Sequence, residues 1–228
     1  MAIDTRIVAE APVRYLVAGM GDAMATWYEA RTCLQNPQAR SVLGARPTLA
    51  ASALGELCAT TLFAEGVAAV DAVRRREVTD ALERIVEANT LLSGIGFESG
   101  GLAVAHSVAR GFAALPTVHQ HYLHGEMVAM GLLTQLVVES REAEAHQVAE
   151  FFAQVGLPIH LGQLALSPQD TASLRIVMET AMRLPYVGNE PFAVTADSLL
   201  AASQQAHALG QGIAQQTGDT AYCALHAP

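Results

Sequence analysis

The chain contains no lysine: all 13 of its basic residues are arginine. That absence removes Schiff-base and pyridoxal chemistry and any GxxxxGK[ST] phosphate loop, each of which needs a lysine amine. Aromatic residues are scarce, at 5%. With alanine supplying much of the apolar half, this composition favours closely packed helices over an aromatic-rich β-sandwich. No uninterrupted apolar run approaches the roughly 20 residues that span a bilayer. The N-terminus, MAIDTRIVAEAP, has neither the basic start nor the apolar core of a signal peptide. A soluble, cytoplasmic protein without membrane contact is therefore expected. Cys33, Cys58 and Cys223 are too few and too widely spaced for a CxxC zinc or dithiol motif, so reduced, mostly buried thiols are expected. A net charge of −9 repels a phosphate backbone. The one basic run, Arg74-Arg75-Arg76, reads as a solvated helix end, and nucleic acid is excluded as a partner.

What is present is helical periodicity in a chain of 228 residues, with no internal repeat and no low-complexity linker. Residues 3–8, IDTRIV, alternate in polarity and suggest a short strand or extended lead-in. They make residues 1–10 look like a stub, with 11–228 as one all-α domain. Pro12 suits a helix's first turn, and Asp22 opens a segment, GDAMATWYEAR, after a break at Gly19 to Gly21. Residues 48–64 and 67–76 are helical, and Thr79 starts a helix that Gly94 and Gly96 end. Further helices follow Gly131, close at Gly156, begin at Ser167-Pro168, and run from Thr195 to about Gly212, with residues 184–191 as a surface loop. The fragment Gly94-Ile95-Gly96 follows a helix and lies in no βαβ unit, which excludes a dinucleotide-binding turn.

Most candidate chemistry lies between Gly94 and Gly131. His106 sits in the apolar helix LAVAHSVA behind Ser99-Gly100-Gly101, small residues that allow another backbone or a ligand close approach. His124 opens the next helix, and His119 and His121 precede it in the loop HQHYLH. On residues alone several readings stay open. Asp22 is a ligand or an N-terminal cap, His106 a ligand or a hydrogen-bonded core residue, and any two of the loop histidines could bind a metal.

The runs DTRIVAEAP, VAGMGDAMATWYEAR, LERIVEANTLLSGIGFESGGLAVAH, HGEMVAMGLLTQLVVE and VGLPIHL resemble the C-terminal, helical half of the glycerol dehydrogenases, within the iron-containing (group III) alcohol dehydrogenase family. The resemblance implies an all-α fold, with the stub at residues 1–10 as an interdomain strand or linker and Asp22, His106 and His124 as three protein ligands of a divalent metal, normally zinc. Asp22 and His106 would also bind the substrate, and Phe97 looks like the family's aromatic wall near substrate and nicotinamide. One carboxylate and two neutral imidazoles leave open positions, as a catalytic zinc requires. Iron-dependent relatives carry a further histidine where this chain has Arg110, and glycerol dehydrogenases often carry one at Ala109, so zinc suits the chain better than iron. The family's usual HGEKVAFG reads HGEMVAMG here, with Met127 and Met130.

By the same resemblance the complete enzyme oxidises glycerol to dihydroxyacetone with NAD, through a metal-polarised hydroxyl and without a separate protein base. The NAD-binding half is not recognisable in these residues, so activity would need that domain in cis or in trans. The isolated chain is expected to be inactive as a dehydrogenase and to self-associate into a homo-oligomer through its uncovered apolar face. Two other readings stand beside this one: a metal-dependent polyol or hydroxy-carbonyl lyase or isomerase that uses no nicotinamide, and a non-catalytic helical oligomerisation module.

Overall fold

Pro12, with φ −57°, sets the start of the long helix from which the site is built. In a computed structural model, which describes residues 2–226, the α-helices are α1 (Thr5–Glu10), α2 (Val13–Gln35), α3 (Leu49–Arg74), α4 (Asp80–Glu87), α5 (Ser93–Gly100), α6 (Val104–Phe112), α7 (Pro116–His119), α8 (His124–Val138), α9 (Glu142–Val155), α10 (Thr171–Met182), α11 (Ala196–Thr217) and α12 (Thr220–His226). No strand occurs among the described residues, and the all-α expectation holds. Residues 3–8 do not form the expected strand: Asp4 caps α1 by accepting a hydrogen bond from the Arg6 amide. Local alternation lost to that cap because no neighbouring strand offers pairing partners.

Side-chain caps start the helices where the sequence places Ser, Thr or Asp. Thr48, Thr79 and Thr195 accept from Ala51, Leu82 and Ser198 amides. Asp170, rather than Ser167-Pro168, caps α10 through the Ser173 amide. Glycine was the less faithful guide. α2 runs unbroken through Gly19 and Gly21, and α3 is one helix where two were expected. The chain stays helical through a π-turn at Ala88–Leu92, past Gly94 and Gly96 and on to Gly100; Gly101, at φ +99°, ends it. α3 also has the length and composition to span a bilayer, which no single run suggested, because its alanines are interleaved with only a few polar residues. One of its faces packs on α2, α4 and α5.

The core is built from Met20, Met24, Leu62, Leu82, Phe112, Leu132, Leu133, Leu136 and Phe152, all fully buried, each side chain adding roughly 1.5–3 kcal/mol. α2 packs against α3, α5 and α8, while α6 packs against α8 and α10. Two of the tight crossings involve α8. A Cβ on Gly125 would lie 1.7 Å from the Ala18 carbonyl oxygen, and one on Gly131 would lie 2.2 Å from that of Ala105. α8 therefore touches α2 near its start and α6 one turn and a half later, backbone against backbone. The stretch 184–191 is not simply a surface loop. Pro185–Asn189 is a 3-10 turn, and the buried Asn189 donates from its side-chain amide to the Arg40 and Leu102 carbonyls at 3.0 and 2.7 Å. Those bonds hold the chain just ahead of α6.

Candidate metal centre

These crossings bring together three side chains that are far apart in sequence. Asp22 lies in the middle of α2, not at a helix start, so its carboxylate is not a cap. His106 lies on the first turn of α6, and His124 is the first residue of α8. Asp22 Oδ1 is 3.1 Å from His106 Nε2 and 3.7 Å from His124 Nε2. The rings face each other at 5.6 Å between centroids. One ligand atom from each residue lies within 4.8 Å of the others, so the three could hold one metal ion.

Glu29, two turns beyond Asp22 on the same face of α2 and fully buried, completes this arrangement. Its Oε2 is 2.5 Å from His106 Nδ1, and its Oε1 accepts from the Ala103 and His106 amides at 2.7 and 3.0 Å. One carboxylate thus caps α6 and fixes the His106 ring. With a proton on Nδ1 facing Glu29, His106 presents Nε2 to the site, the orientation that a carboxylate behind a ligating histidine imposes. Without a cation, burial disfavours charge on His106, but Glu29 and Asp22 on its two sides outweigh burial and push its pKa up to about 10. A cation would displace that proton. Burial also raises the Asp22 pKa, but the hydrogen bond with His106 and the two ring charges reverse the shift and keep it below the usual carboxylate value. His124 is pushed below its ordinary value, chiefly by burial, with His106 and Arg110 adding to the effect against Asp22. An ionised carboxylate beside a readily neutral imidazole suits cation binding.

The other expected residues lie apart. Phe97 is half-buried on α5, and no ring contact joins it to either imidazole among the described residues. Arg110 is exposed one turn beyond His106, and Ala109 is buried in the core. His121 is exposed and bonded to the Thr117 carbonyl, and His119 ends α7, so neither joins the cluster. Met127 and Met130 are core residues. Cys33 and Cys58 are buried thiols, as expected, whereas Cys223 is exposed. Sequence reasoning missed Glu29, although its heptad spacing from Asp22 in an alanine-rich helix was a usable signal. It also missed Glu126, buried on the first turn of α8, whose Oε2 accepts from the Leu123 amide at 2.8 Å. Burial raises the Glu126 pKa, but hydrogen bonds from Arg14 and His226 reverse this and hold it below the usual value.

No family model matches the chain. A glycerol dehydrogenase of Escherichia coli O6:H1 is 49% identical over 216 residues, covering 94% of this chain and 58% of that protein. The crystal structure of a probable glycerol dehydrogenase from Sinorhizobium meliloti 1021 superposes with a TM-score of 0.87 at 37% identity, over 92% of this chain and 59% of that one. The chain belongs to the glycerol dehydrogenase family. The structure of glycerol dehydrogenase from Schizosaccharomyces pombe agrees, with a TM-score of 0.88 at 34% identity over 95% of this chain and 56% of that one. The chain thus spans somewhat over half the length of these glycerol dehydrogenases, corresponding to their C-terminal, all-helical part.

Proposed function

We propose that residues 11–228 form the metal-binding catalytic domain of an NAD-dependent glycerol dehydrogenase, with Asp22, His106 and His124 as ligands of a zinc ion. The observation that carries this reading is the convergence of Asp22 Oδ1, His106 Nε2 and His124 Nε2, with His106 already aimed by Glu29. The donor set fits zinc: one carboxylate and two imidazoles are borderline ligands that leave positions free for substrate. Arg110, where iron-dependent relatives have a further histidine, supplies no fourth ligand and weighs against iron.

A bound zinc ion supplies Lewis-acid polarisation of a substrate hydroxyl, lowering its pKa. The chain's own residues orient the reaction. Asp22 and His106 line the place where adjacent hydroxyls of a small polyol would sit, and Glu29 keeps the His106 ring from turning. Phe97 would form an aromatic wall toward the nicotinamide. Oxidation of glycerol to dihydroxyacetone also needs a nucleotide-binding domain, in cis or in trans. By themselves these residues are expected to show no NAD-dependent turnover, since no strand and hence no βαβ unit occurs among the described residues.

Elemental analysis of untagged chain tests the site. About one zinc per chain is expected in the parent, with loss in both His106→Ala and Asp22→Asn. A parent that holds no zinc after loading and removal of excess refutes the reading. Clear NAD-dependent glycerol oxidation by the purified chain would refute the need for a second domain.

A further inference from the structure

The two histidines of the site are held very differently. His106 has a carboxylate on its Nδ1. His124 has no hydrogen bond to its ring among the described residues, only the 3.7 Å approach to Asp22, and its side chain is 49% exposed. Its position must come from its backbone, the first turn of α8.

That turn is held by Glu126, whose side chain is only 2% exposed. Arg14, two turns before Asp22 on α2, donates to it twice, from Nε to Oε1 at 2.6 Å and from an Nη to Oε2 at 2.7 Å. The same guanidinium donates to the His121 carbonyl at 2.7 Å, fixing the loop that leads into α8. The Leu123 amide donates to Oε2, and His226 on α12 brings Nε2 to within 2.8 Å of Oε1. His226 is itself stacked on Tyr222, with 3.9 Å between ring centroids. Beyond this clamp, Gly125 lies against the Ala18 carbonyl, so the start of α8 can approach α2 to backbone contact. A bidentate arginine–carboxylate pair is rigid in angle as well as distance, unlike a single contact.

We propose that Glu126, gripped by Arg14 and supported by His226, is a positioning residue that sets the distance between His124 and Asp22. It touches neither ligand side chain. It acts by fixing the α8 backbone against α2, and the last helix contributes to the metal site through it. The inference rests on Asp22, His106 and His124 being metal ligands.

Cobalt(II) titrations of the full chain, followed by visible ligand-field absorption, test it. The proteins are the parent, Glu126→Gln, His226→Phe, His124→Ala and the Glu126→Gln/His124→Ala double variant. Glu126→Gln is expected to weaken cobalt binding about tenfold, as outer-shell changes do, and to alter the band shape. His226→Phe, which leaves the Arg14 pair in place, should act in the same direction by a smaller factor, and it carries the test if Glu126→Gln does not fold. The double variant should bind no more weakly than His124→Ala. Unchanged affinity and bands in the Glu126 variant, or an equal loss with and without His124, overturn the proposal. Should the parent take up no cobalt, the metal reading itself fails. The clamp is then read by NMR in the same proteins: displaced His124 ring signals with His106 unmoved support it, and unmoved His124 signals overturn it.

Discussion

One carboxylate, Asp22, faces two imidazoles that are fixed by opposite means. On the α6 side, Glu29 reaches the ring of His106 itself and caps the helix with its other oxygen. On the α8 side, no hydrogen bond reaches the ring of His124 among the described residues, and a buried ion pair two residues along holds only the backbone. The first arrangement sets a ring orientation and a tautomer; the second sets a position and leaves the ring free to adjust. Under the proposed function, a site that holds an ion and still admits a substrate gains from one stiff ligand and one compliant ligand. The difference also shows where each half is vulnerable.

The largest effect should come from parting the helices on the compliant side. Gly125→Ala would place a Cβ 1.7 Å from the Ala18 carbonyl oxygen, a backbone atom that cannot swing away. A loss of about 3 kcal/mol or more in urea unfolding is expected, at the top of the usual cost of overpacking, together with loss of metal. Near-parent stability would mean that the crossing is looser than it looks.

Next is the stiff side. Glu29→Gln keeps the shape but removes the charge behind His106, and metal affinity by calorimetric titration should fall about 10–100-fold. A fall no larger than that in Glu126→Gln would erase the distinction between the two histidines.

The third prediction concerns Glu190, beside the Val104 amide at the same end of α6. It is buried and neither of its oxygens has a hydrogen-bond partner among the described residues. Burial first, then the charges of Glu139 and Glu29, push its pKa up to about 8. A carboxyl whose folded pKa is raised favours the fold fully below its ordinary 4.5 and loses that contribution as pH rises through about 8. Glu190→Gln should therefore gain on the parent between pH 6 and pH 9, by roughly 1–3 kcal/mol at the alkaline end. Melting curves across that range read the widening gap, and a constant gap would mean that Glu190 does not titrate there.

The smallest effect lies at acid pH. Glu126 has a lowered folded pKa, so its contribution is present above its ordinary 4.5 and fades as pH falls through the folded value. The advantage of the parent over Glu126→Gln, about 3 °C in melting temperature at neutral pH, should shrink on acidification. An advantage that grows toward acid would reverse the assigned sign.

The sequence announced its helices through their caps and periodicity. Thr79, Thr195 and Gly156 mark boundaries where expected, because a cap is decided by residues within one turn of one another. The same local logic misread Gly19, Gly21, Gly94 and Gly96 as breaks. In the fold, a Cβ on Gly21 would lie 2.5 Å from the Gly125 carbonyl and one on Gly96 would lie 2.6 Å from Thr26. Gly21 and Gly96 serve contact between helices, whereas a Cβ on Gly94 would meet open space, and a one-dimensional pattern gives the same letter to a stop and to a crossing. α12 escaped notice because seven residues carry too little periodicity to stand out, yet its His226 reaches the carboxylate that holds α8.

Composition and periodicity by themselves determined that the chain is all-α. The motifs around His106 and His124 identified the family, since they survive as contiguous strings. Only the tertiary structure decided that Asp22 is a mid-helix carboxylate facing both rings, that Glu29 locks one of them, and that Glu126 reaches the other through its backbone. Those relations depend on where α2, α6 and α8 cross, and a crossing is set by which residues are small enough to meet across long separations in the chain.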